Sequence, residues 1–282
     1  MDKGRKEAVV PKYALDRNAV IEMEKVNAGE WSPMGAKLRE IDKWKNFASC
    51  LLSVLETSRS ASRDSAAVTE SITREEAVMR TFFRKARTDS GYLLDNQHVL
   101  SGRFLESLTQ NQAQDLQFIA SAQQLLAKQT AGDVVRKEFK RVVEFVRDAG
   151  RMLQDPLSLV VLACPLGSER ARGLLKPSTE TDDEAAFNAL ADVEKIKLVN
   201  YIEALMREHG ERSELRLFSE DRGLMGMKAA IVVTHSGTIR NSELGHEVGY
   251  CFNPEKYLVA MPFLESRPKI SGEVRATLFG HC

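Results

Sequence analysis

Short apolar segments that end in an acidic residue are the feature that most constrains the fold of this chain. Residues 9–15, VVPKYAL, are predicted to form a buried strand, and Asp16 follows them directly, before a helical pattern begins. Residues 215–218, LRLF, are predicted to form another strand, and the turn after it contains Asp221. In an open parallel sheet, ligands bind outside the carboxyl ends of the strands. Asp16 and Asp221 are therefore expected to face the same crevice.

Helical patterns account for most of the remaining chain. Glycine and proline are scarce between residues 60 and 150, and further helices are predicted over 35–45 and 184–208. The strongest apolar stripe is formed by four residues at helical spacing: Val135, Phe139, Val142 and Val146. The fold class is therefore predicted to be α/β. One domain is expected over residues 1–282, with a helical insertion at about 60–150 and a C-terminal extension at about 235–282.

Four apolar segments are harder to assign. Residues 47–55 fit a strand followed by a helix, in which Ser53 and Glu56 have the S-x-x-E spacing of a capping box. Residues 157–164 follow an Asp-Pro pair and fit either a buried helix or a buried strand, because periodicity does not separate the two. Residues 229–234 are predicted to be either a strand or the end of a helix. Residues 257–262 are predicted to be a strand.

Composition places the chain among ordinary globular proteins. Of its 282 residues, 43% are hydrophobic and 28% are charged, which excludes the disordered and fibrous classes. Basic and acidic residues number 40 each, so the overall charge does not favour nucleic-acid binding but leaves it open. Neither a membrane span nor a secretory signal is predicted from the apolar runs. The four cysteines are scattered, which predicts reduced thiols and a cytoplasmic location.

Two further acidic residues complete a candidate site. Asp192 lies inside the helix that precedes the strand at 215–218, and Glu56 lies near the start of a predicted helix. Carboxylates that are brought together raise each other's pKa unless a cation neutralises them, and hard oxygen ligands favour Mg²⁺ or Mn²⁺. Each acid taken alone is better explained as a helix cap or a surface residue. Only their joint placement predicts a metal site.

The sequence resembles the PIN-domain nucleases at four short segments, which occur in the order found in that family. KYALDRNAVIEM is similar to the family's opening strand, aspartate and helix, and SCLLSVLET to its apolar stretch with a helical glutamate. FNALADVEKIKL is similar to its helix with an aspartate, and LRLFSEDRGL to its last strand and turn. The four segments extend from Asp16 to Asp221 and so cover most of the chain.

This resemblance implies a PIN-like three-layer fold with a central, mostly parallel sheet. It implies that Asp16, Glu56, Asp192 and Asp221 are catalytic carboxylates, of which the three aspartates bind Mg²⁺ or Mn²⁺. The expected reaction is metal-dependent hydrolysis of phosphodiester bonds, with RNA favoured over DNA. Many bacterial members of the family are toxins or phage-defence effectors, so an antitoxin or an ATPase is an expected partner, and a homo-oligomer stays open.

The resemblance also assigns supporting roles and leaves one choice open. Asn18 and Ser219 are expected to be polar groups near the site. Because the interval between Glu56 and Asp192 is long, Glu75 or Glu76 is an alternative to Glu56 as the helical glutamate.

A second interpretation places the active site in the C-terminal part of the chain. Residues 234–250, THSGTIRNSELGHEVGY, resemble nucleoside deoxyribosyltransferase-like N-glycosidases, in which a Gly-containing loop and an E-L-G helix supply a catalytic glutamate. Glu243 would be the nucleophile and residues 159–164 the first strand. This interpretation ranks second, because the turn between the strands at 215–218 and 229 is expected to be too short for a crossover helix.

Basic residues form two clusters whose simplest interpretation is solvated helix faces, because acidic residues are interleaved with them. Few aromatic residues lie among them in the sequence, so base stacking is not indicated. A third class, a non-catalytic interaction protein that docks through residues 60–150, is also open. The first cluster contains Arg74, Arg80, Arg84, Lys85 and Arg87, and the second contains Arg136, Lys137, Lys140, Arg141, Arg147 and Arg151.

Overall fold

The apolar segments and helical stripes of the sequence fold into two structural units. The structure is a computed structural model that describes residues 10–60, 65–99, 112–128, 134–180, 182–211, 213–241 and 245–280. Unit 1 comprises Met1–Gln110 and Leu205–Glu220, and unit 2 comprises Asn111–Ala204 and Asp221–Cys282. The expectation of one domain with an insertion and an extension stays a prediction.

Unit 1 contains a parallel four-stranded sheet with the spatial order β3-β2-β1-β4, which confirms the α/β class. Its strands are β1 (Pro11–Leu15), β2 (Phe47–Ser49), β3 (Arg87–Thr88) and β4 (Glu214–Phe218). Its helices are α1 (Arg17–Asn27), α2 (Pro33–Glu40), α3 (Leu51–Ser60), α4 (Ser65–Phe82), α5 (Ser90–Asp95) and α6 (Gln97–Val99).

The core of unit 1 forms where α1, α3 and α4 pack together beside β1. Helix α4 buries one stripe at helical spacing, which includes Val68, Ile72, Met79 and Phe82. Glu75 occupies a position of the same stripe and is fully buried. A carboxyl group thus stands among the apolar residues of this core.

Unit 2 is mainly helical, and its buried centre includes α9, every residue of which is buried. Its two strands, β5 (Val233–Asn241) and β6 (Gly245–Phe252), pair antiparallel. None of the helices in the described part of the chain is long and apolar enough to cross a membrane. The helices of unit 2 are α7 (Gln112–Leu125), α8 (Val135–Asp148), α9 (Pro156–Ala163), α10 (Glu169–Leu175), α11 (Asp183–Glu208, whose last four residues group with unit 1), α12 (Arg222–Ala230), α13 (Pro254–Val259) and α14 (Pro268–Phe279).

The structure assigns two of the ambiguous apolar segments. Residues 47–55 are a strand followed by a helix, as expected, but the capping box is wrong because α3 already begins at Leu51 and Ser53 lies inside it. Residues 157–164 belong to a helix, because Asp155 accepts a hydrogen bond from the amide of Leu157 and proline occupies the first turn.

The strand predicted at residues 257–262 is wrong. Residues 257–259 lie in α13, and residue 262 begins the 3₁₀-helix Pro262–Leu264 that follows it. The side chain of Asn253 accepts from the amide of Lys256, so an Asn-Pro cap begins the helix. Residues 229–234 include the end of α12 and the start of β5.

The helix predicted over residues 35–45 is shorter and earlier than expected. It begins at Pro33, where Ser32 caps it by accepting from the amide of Gly35, and it ends at Glu40.

Tyr257→Phe is expected to destabilise unit 2 by about 1 kcal/mol. Tyr257 is fully buried, and its hydroxyl donates to the carbonyl oxygen of Leu159 in α9 over 2.7 Å. Phenylalanine keeps the packing of the ring but removes this donor. Urea unfolding followed by circular dichroism measures the change. Tyr92→Phe is the matched control, since Tyr92 is exposed, and equal midpoints for the two variants would contradict the prediction.

Candidate functional site

The candidate site lies at the carboxyl end of the parallel sheet in unit 1. Strand β1 lies between β2 and β4, so the strand order reverses direction between β1 and β4. In α/β sheets a ligand-binding crevice forms at such a point, outside the carboxyl ends of the strands. Asp16 directly follows β1 and Ser219 directly follows β4, and the amide of Asp16 donates to the carbonyl oxygen of Phe218 over 3.4 Å. Asp16 therefore lies at the edge of the sheet where the sequence placed it.

Asp16 also caps α1. Its backbone is extended and its Oδ1 accepts from the amide of Ala19 over 2.8 Å, which satisfies one of the free amides of the first turn. The side chain is almost completely buried. The cap fixes the carboxylate in one orientation at the end of the strand.

Arg17 joins Asp16 to two glutamates from neighbouring helices. Its amide donates to Oε2 of Glu56 in α3 over 3.3 Å, and its Nη1 donates to Oε1 of Glu75 in α4 over 2.9 Å. Glu76 instead pairs with Arg80 on its own helix, over 3.6 Å. Of the three glutamates considered for the helical position, Glu56 and Glu75 thus lie at the start of α1.

Glu75 is held in an unusual state for a carboxyl group. Its Oε1 accepts from the hydroxyl of Ser53 over 2.7 Å as well as from Arg17, whereas its buried Oε2 has no hydrogen-bond partner among the described residues. Burial raises the pKa of Glu75 to about 7, although the hydrogen bond from Ser53 and the charge of Arg17 act in the opposite direction. Glu75 can therefore hold or release a proton near neutral pH.

Asp89 is an acidic residue of this edge that the sequence analysis missed. It directly follows β3, and its Oδ1 accepts from the amide of Cys50, the residue after β2, over 3.3 Å. Burial raises the pKa of Asp89 to about 6, against the hydrogen bonds from Ser49 and Cys50. The available signal was the Asp-Ser-Gly sequence at 89–91, which is typical of a turn and interrupts an otherwise helical region.

The remaining predicted site residues are divided between the two units. Asp192, in α11, forms an ion pair with Lys195 over 3.0 Å, and Asp221 caps α12 by accepting from the amide of Leu224 over 2.8 Å. Both aspartates belong to unit 2. The two supporting residues belong to unit 1: Asn18 is exposed in the first turn of α1, and Ser219 is half-buried after β4.

The chemistry of the donors at the start of α1 suits a hard divalent cation. Among the residues that the structure describes, no three His, Cys, Asp or Glu side chains form a group that could hold a metal ion. Mg²⁺, however, is commonly held by one or two carboxylates, with water and substrate phosphates as the other ligands. Asp16 and Glu56 offer such a pair of carboxylates, since both accept from amides in the first turn of α1: Asp16 from Ala19 and Glu56 from Arg17.

The N-glycosidase interpretation loses part of its basis. Its first strand, residues 159–164, lies in a helix, and Gly245 begins a strand rather than continuing a helix. The proposed nucleophile, Glu243, lies outside the described residues. The argument that ranked this interpretation second was also wrong, because the nine-residue helix α12 follows β4, and the next strand belongs to a different sheet.

Comparison of the chain with protein families, with characterised proteins and with solved structures finds no match. The resemblance to PIN-domain nucleases therefore rests on the four sequence segments.

Proposed function

We propose that the chain is a PIN-like nuclease that hydrolyses phosphodiester bonds of RNA with Mg²⁺ or Mn²⁺ as cofactor, in a bacterial toxin or phage-defence setting. The observation that carries the proposal is the position of Asp16. It is a buried aspartate at the point where the strand order reverses, and Glu56 binds the same helical turn. An antitoxin or ATPase partner belongs to the same proposal.

The residues at the start of α1 have complementary roles in this reaction. Asp16 and Glu56 would hold the cation, which when bound supplies charge neutralisation and a more acidic water for phosphoryl transfer. The cap to Ala19 keeps the carboxylate of Asp16 in a fixed orientation. The hydrogen bond from Arg17 to the buried Glu75 fixes the residue whose amide orients Glu56.

Asp16→Asn is expected to abolish metal-dependent cleavage of single-stranded RNA while leaving the fold intact. Asparagine caps helices as well as aspartate does, but it is a neutral and weaker metal ligand. The assay compares cleavage of labelled RNA and DNA in Mg²⁺, in Mn²⁺ and in EDTA. Glu56→Gln tests the second carboxylate, and Asp192→Asn and Asp221→Asn test the ligand roles that the resemblance implies.

Asp182→Asn is the matched control for this assay. Asp182 is exposed and its carboxylate accepts from the amides of Glu184 and Ala185 over 3.0 Å, so the substitution changes a capping aspartate of unit 2, whereas the candidate site belongs to unit 1. Cleavage that survives Asp16→Asn at the wild-type rate would overturn the proposal. Base release from nucleotides that is lost in Glu243→Gln would favour the N-glycosidase interpretation instead.

A further inference from the structure

We propose that unit 1 carries an accessory surface for single-stranded nucleic acid at the amino ends of the parallel strands, whereas the candidate active site lies at their carboxyl ends. We call it the basic turn surface, and its residues are Lys43, Trp44, Lys45, Arg84, Lys85 and Arg87. All six side chains are exposed. The proposal goes beyond the proposed catalysis, because binding at this surface does not require Asp16 or a metal ion.

Two turns that are distant in the sequence form this surface: the first turn is residues 42–46 and the second is residues 83–86. The carboxylate of Asp42 holds them together. Oδ1 of Asp42 accepts from the amides of Lys85 and Ala86, both over 2.8 Å, and the amide of Arg84 lies 3.2 Å from each carboxylate oxygen. Burial alone would raise the pKa of Asp42, but these hydrogen bonds and the charge of Arg39 hold that pKa below its ordinary value. Asp42 therefore stays ionised and faces the backbone of the second turn.

Backbone hydrogen bonds make the same connection a second time. The amide of Arg87 donates to the carbonyl oxygen of Asn46 over 3.1 Å, and Phe47 and Arg87 then pair as the first residues of β2 and β3. The side-chain amide of Asn46 donates to the carbonyl oxygen of Ile41 over 2.8 Å, which closes the first turn. The two turns therefore present their side chains from a fixed backbone.

The charge of the surface is strongly positive. It contains five cations, and none of them forms an ion pair with another residue in the part of the chain that the structure describes. The only carboxylate within the two turns is that of Asp42, which the amides bind. The nearest other acidic residues in the sequence are Glu40, exposed at the end of α2, and Asp89, which follows β3 and accepts from the amide of Cys50. Unpaired cations on a fixed backbone match the charge of a phosphodiester chain.

Trp44 gives the surface a flat aromatic group between two lysines. Trp44 is 76% exposed, although tryptophan residues are on average largely buried. An aromatic face beside cations provides both interactions that single-stranded nucleic acid needs, base stacking and phosphate contact. A duplex keeps its base faces covered, so the surface fits a single strand.

The chemistry favours nucleic acid over a membrane. Trp44 is the one apolar side chain of the six, so the surface has little area to insert into a bilayer, where binding scales with buried apolar area. Binding to a membrane is therefore the alternative that the experiment below has to exclude.

The surface lies at the amino ends of the strands. Residues 42–46 precede β2 and residues 83–86 precede β3, whereas Asp16 follows β1 in the same parallel sheet. The five residues of β1 span roughly 17 Å. A single-stranded nucleic acid bound at the amino ends of the β-strands must therefore extend at least that far to reach their carboxyl ends. The surface is therefore suited to hold a long substrate rather than the bond that is cut.

The test measures binding of labelled single-stranded RNA, single-stranded DNA and duplex by fluorescence anisotropy, with the full chain in EDTA so that metal-dependent cleavage does not interfere. Trp44→Ala is expected to weaken single-strand binding roughly 10-fold. Its matched control is Trp31→Ala, because Trp31 is the other tryptophan of the chain and is 81% exposed.

A second variant tests the cations. Neutralising Lys43, Lys45, Arg84 and Lys85 together to glutamine is expected to reduce the slope of log affinity against log salt concentration by roughly 2 to 3. The control is Lys137→Gln with Lys140→Gln, two exposed lysines on α8 in unit 2.

A third readout is direct contact with the indole. In a Trp31→Phe background Trp44 is the only tryptophan, so stacking on a base should quench its fluorescence, and an abasic strand should not. Unchanged affinity in both sets of variants, or stronger binding to phosphatidylserine vesicles than to the single strand, would overturn the proposal. Because these readouts need no cleavage, they can fail while the proposed nuclease activity stands, and the reverse also holds.

Discussion

The free energy of unfolding is expected to fall by about 3 kcal/mol as the pH rises from 4.5 to 8, through the ionisation of Glu75 alone. The ordinary pKa of this carboxyl group is 4.5, and burial raises it to about 7 in the folded chain. Between these values the folded chain keeps the proton and the unfolded chain loses it. Rising pH therefore favours the unfolded chain across this window, and the effect levels off above the folded pKa.

Glu75→Gln isolates this contribution. Glutamine keeps an oxygen for the hydroxyl of Ser53 and removes the titrating group, while the partly exposed Arg17 can turn toward solvent. The difference between the unfolding free energies of wild type and variant should therefore drop between pH 4.5 and 7.5. Urea unfolding in EDTA at a series of pH values measures it, and hydrogen exchange of the amides in α4 assigns the change to unit 1.

Asp89→Asn is the internal comparison for the pH series. The pKa of Asp89 rises from 3.8 to about 6, so its contribution should level off about one pH unit earlier than that of Glu75. A flat difference curve for Glu75→Gln would mean that Glu75 ionises at its ordinary pKa and that solvent reaches its carboxylate.

Part of the candidate site could be predicted because its signals are local. Asp16 stands directly between an apolar strand and a helix, and the capping preference of aspartate makes this boundary visible in the sequence. The strand β4 is visible for the same reason, since an apolar run ends in turn residues. Helix α8 followed from the spacing of its buried valines and phenylalanine.

The acids that escaped the sequence analysis depend on non-local structure. Asp89 follows β3, a strand of only two residues, which is too short to show any periodicity. Its pairing partner, β2, is separated from it in the sequence by the helices α3 and α4. Glu75 was considered only as a substitute for Glu56. The helical period places Glu75 within the apolar stripe of α4. A stripe that contains one acidic residue is equally typical of a surface helix, so its burial could be assigned only once the packing partner was known.

The basic turn surface was hidden for a related reason. Few aromatic residues lie among the cations of the cluster around Arg84 in the sequence, and the two phenylalanines directly before it, Phe82 and Phe83, are buried. The parallel pairing of β2 with β3 brings the turn of Trp44 beside that cluster. A chain with equal numbers of basic and acidic residues can therefore carry a strongly positive surface, because the acids lie elsewhere.

Phe82→Ala is expected to destabilise unit 1 by about 3 to 5 kcal/mol, the range for removing a buried aromatic side chain from a core. Phe82 is fully inaccessible to solvent at the end of α4. The guanidinium of Arg39 lies 3.8 Å from the centre of its ring and donates to its carbonyl oxygen, and the ring of Phe83 packs edge-on at 5.1 Å. Alanine would leave a cavity and remove the aromatic face on which Arg39 rests.

Two comparisons separate the packing of Phe82 from its contact with Arg39. Phe82→Leu keeps most of the apolar volume and should cost clearly less than Phe82→Ala, whereas Arg39→Ala removes the cation from the ring and should cost about 1 kcal/mol. Equal unfolding midpoints for wild type and Phe82→Ala would contradict the assignment of this ring to the core.

The same substitution connects the core of unit 1 to the basic turn surface. Phe82 immediately precedes the turn whose amides bind Asp42, so the position of Arg84 and Lys85 depends on where α4 ends. Phe82→Ala should therefore speed hydrogen exchange of the amides of residues 84–86 and weaken single-strand binding, although no residue of the surface is changed. Phe139→Ala, which removes a buried ring from α8 in unit 2, should lower stability without changing that binding. Binding that is reduced equally by both substitutions would mean that the fixed backbone of the two turns does not determine affinity.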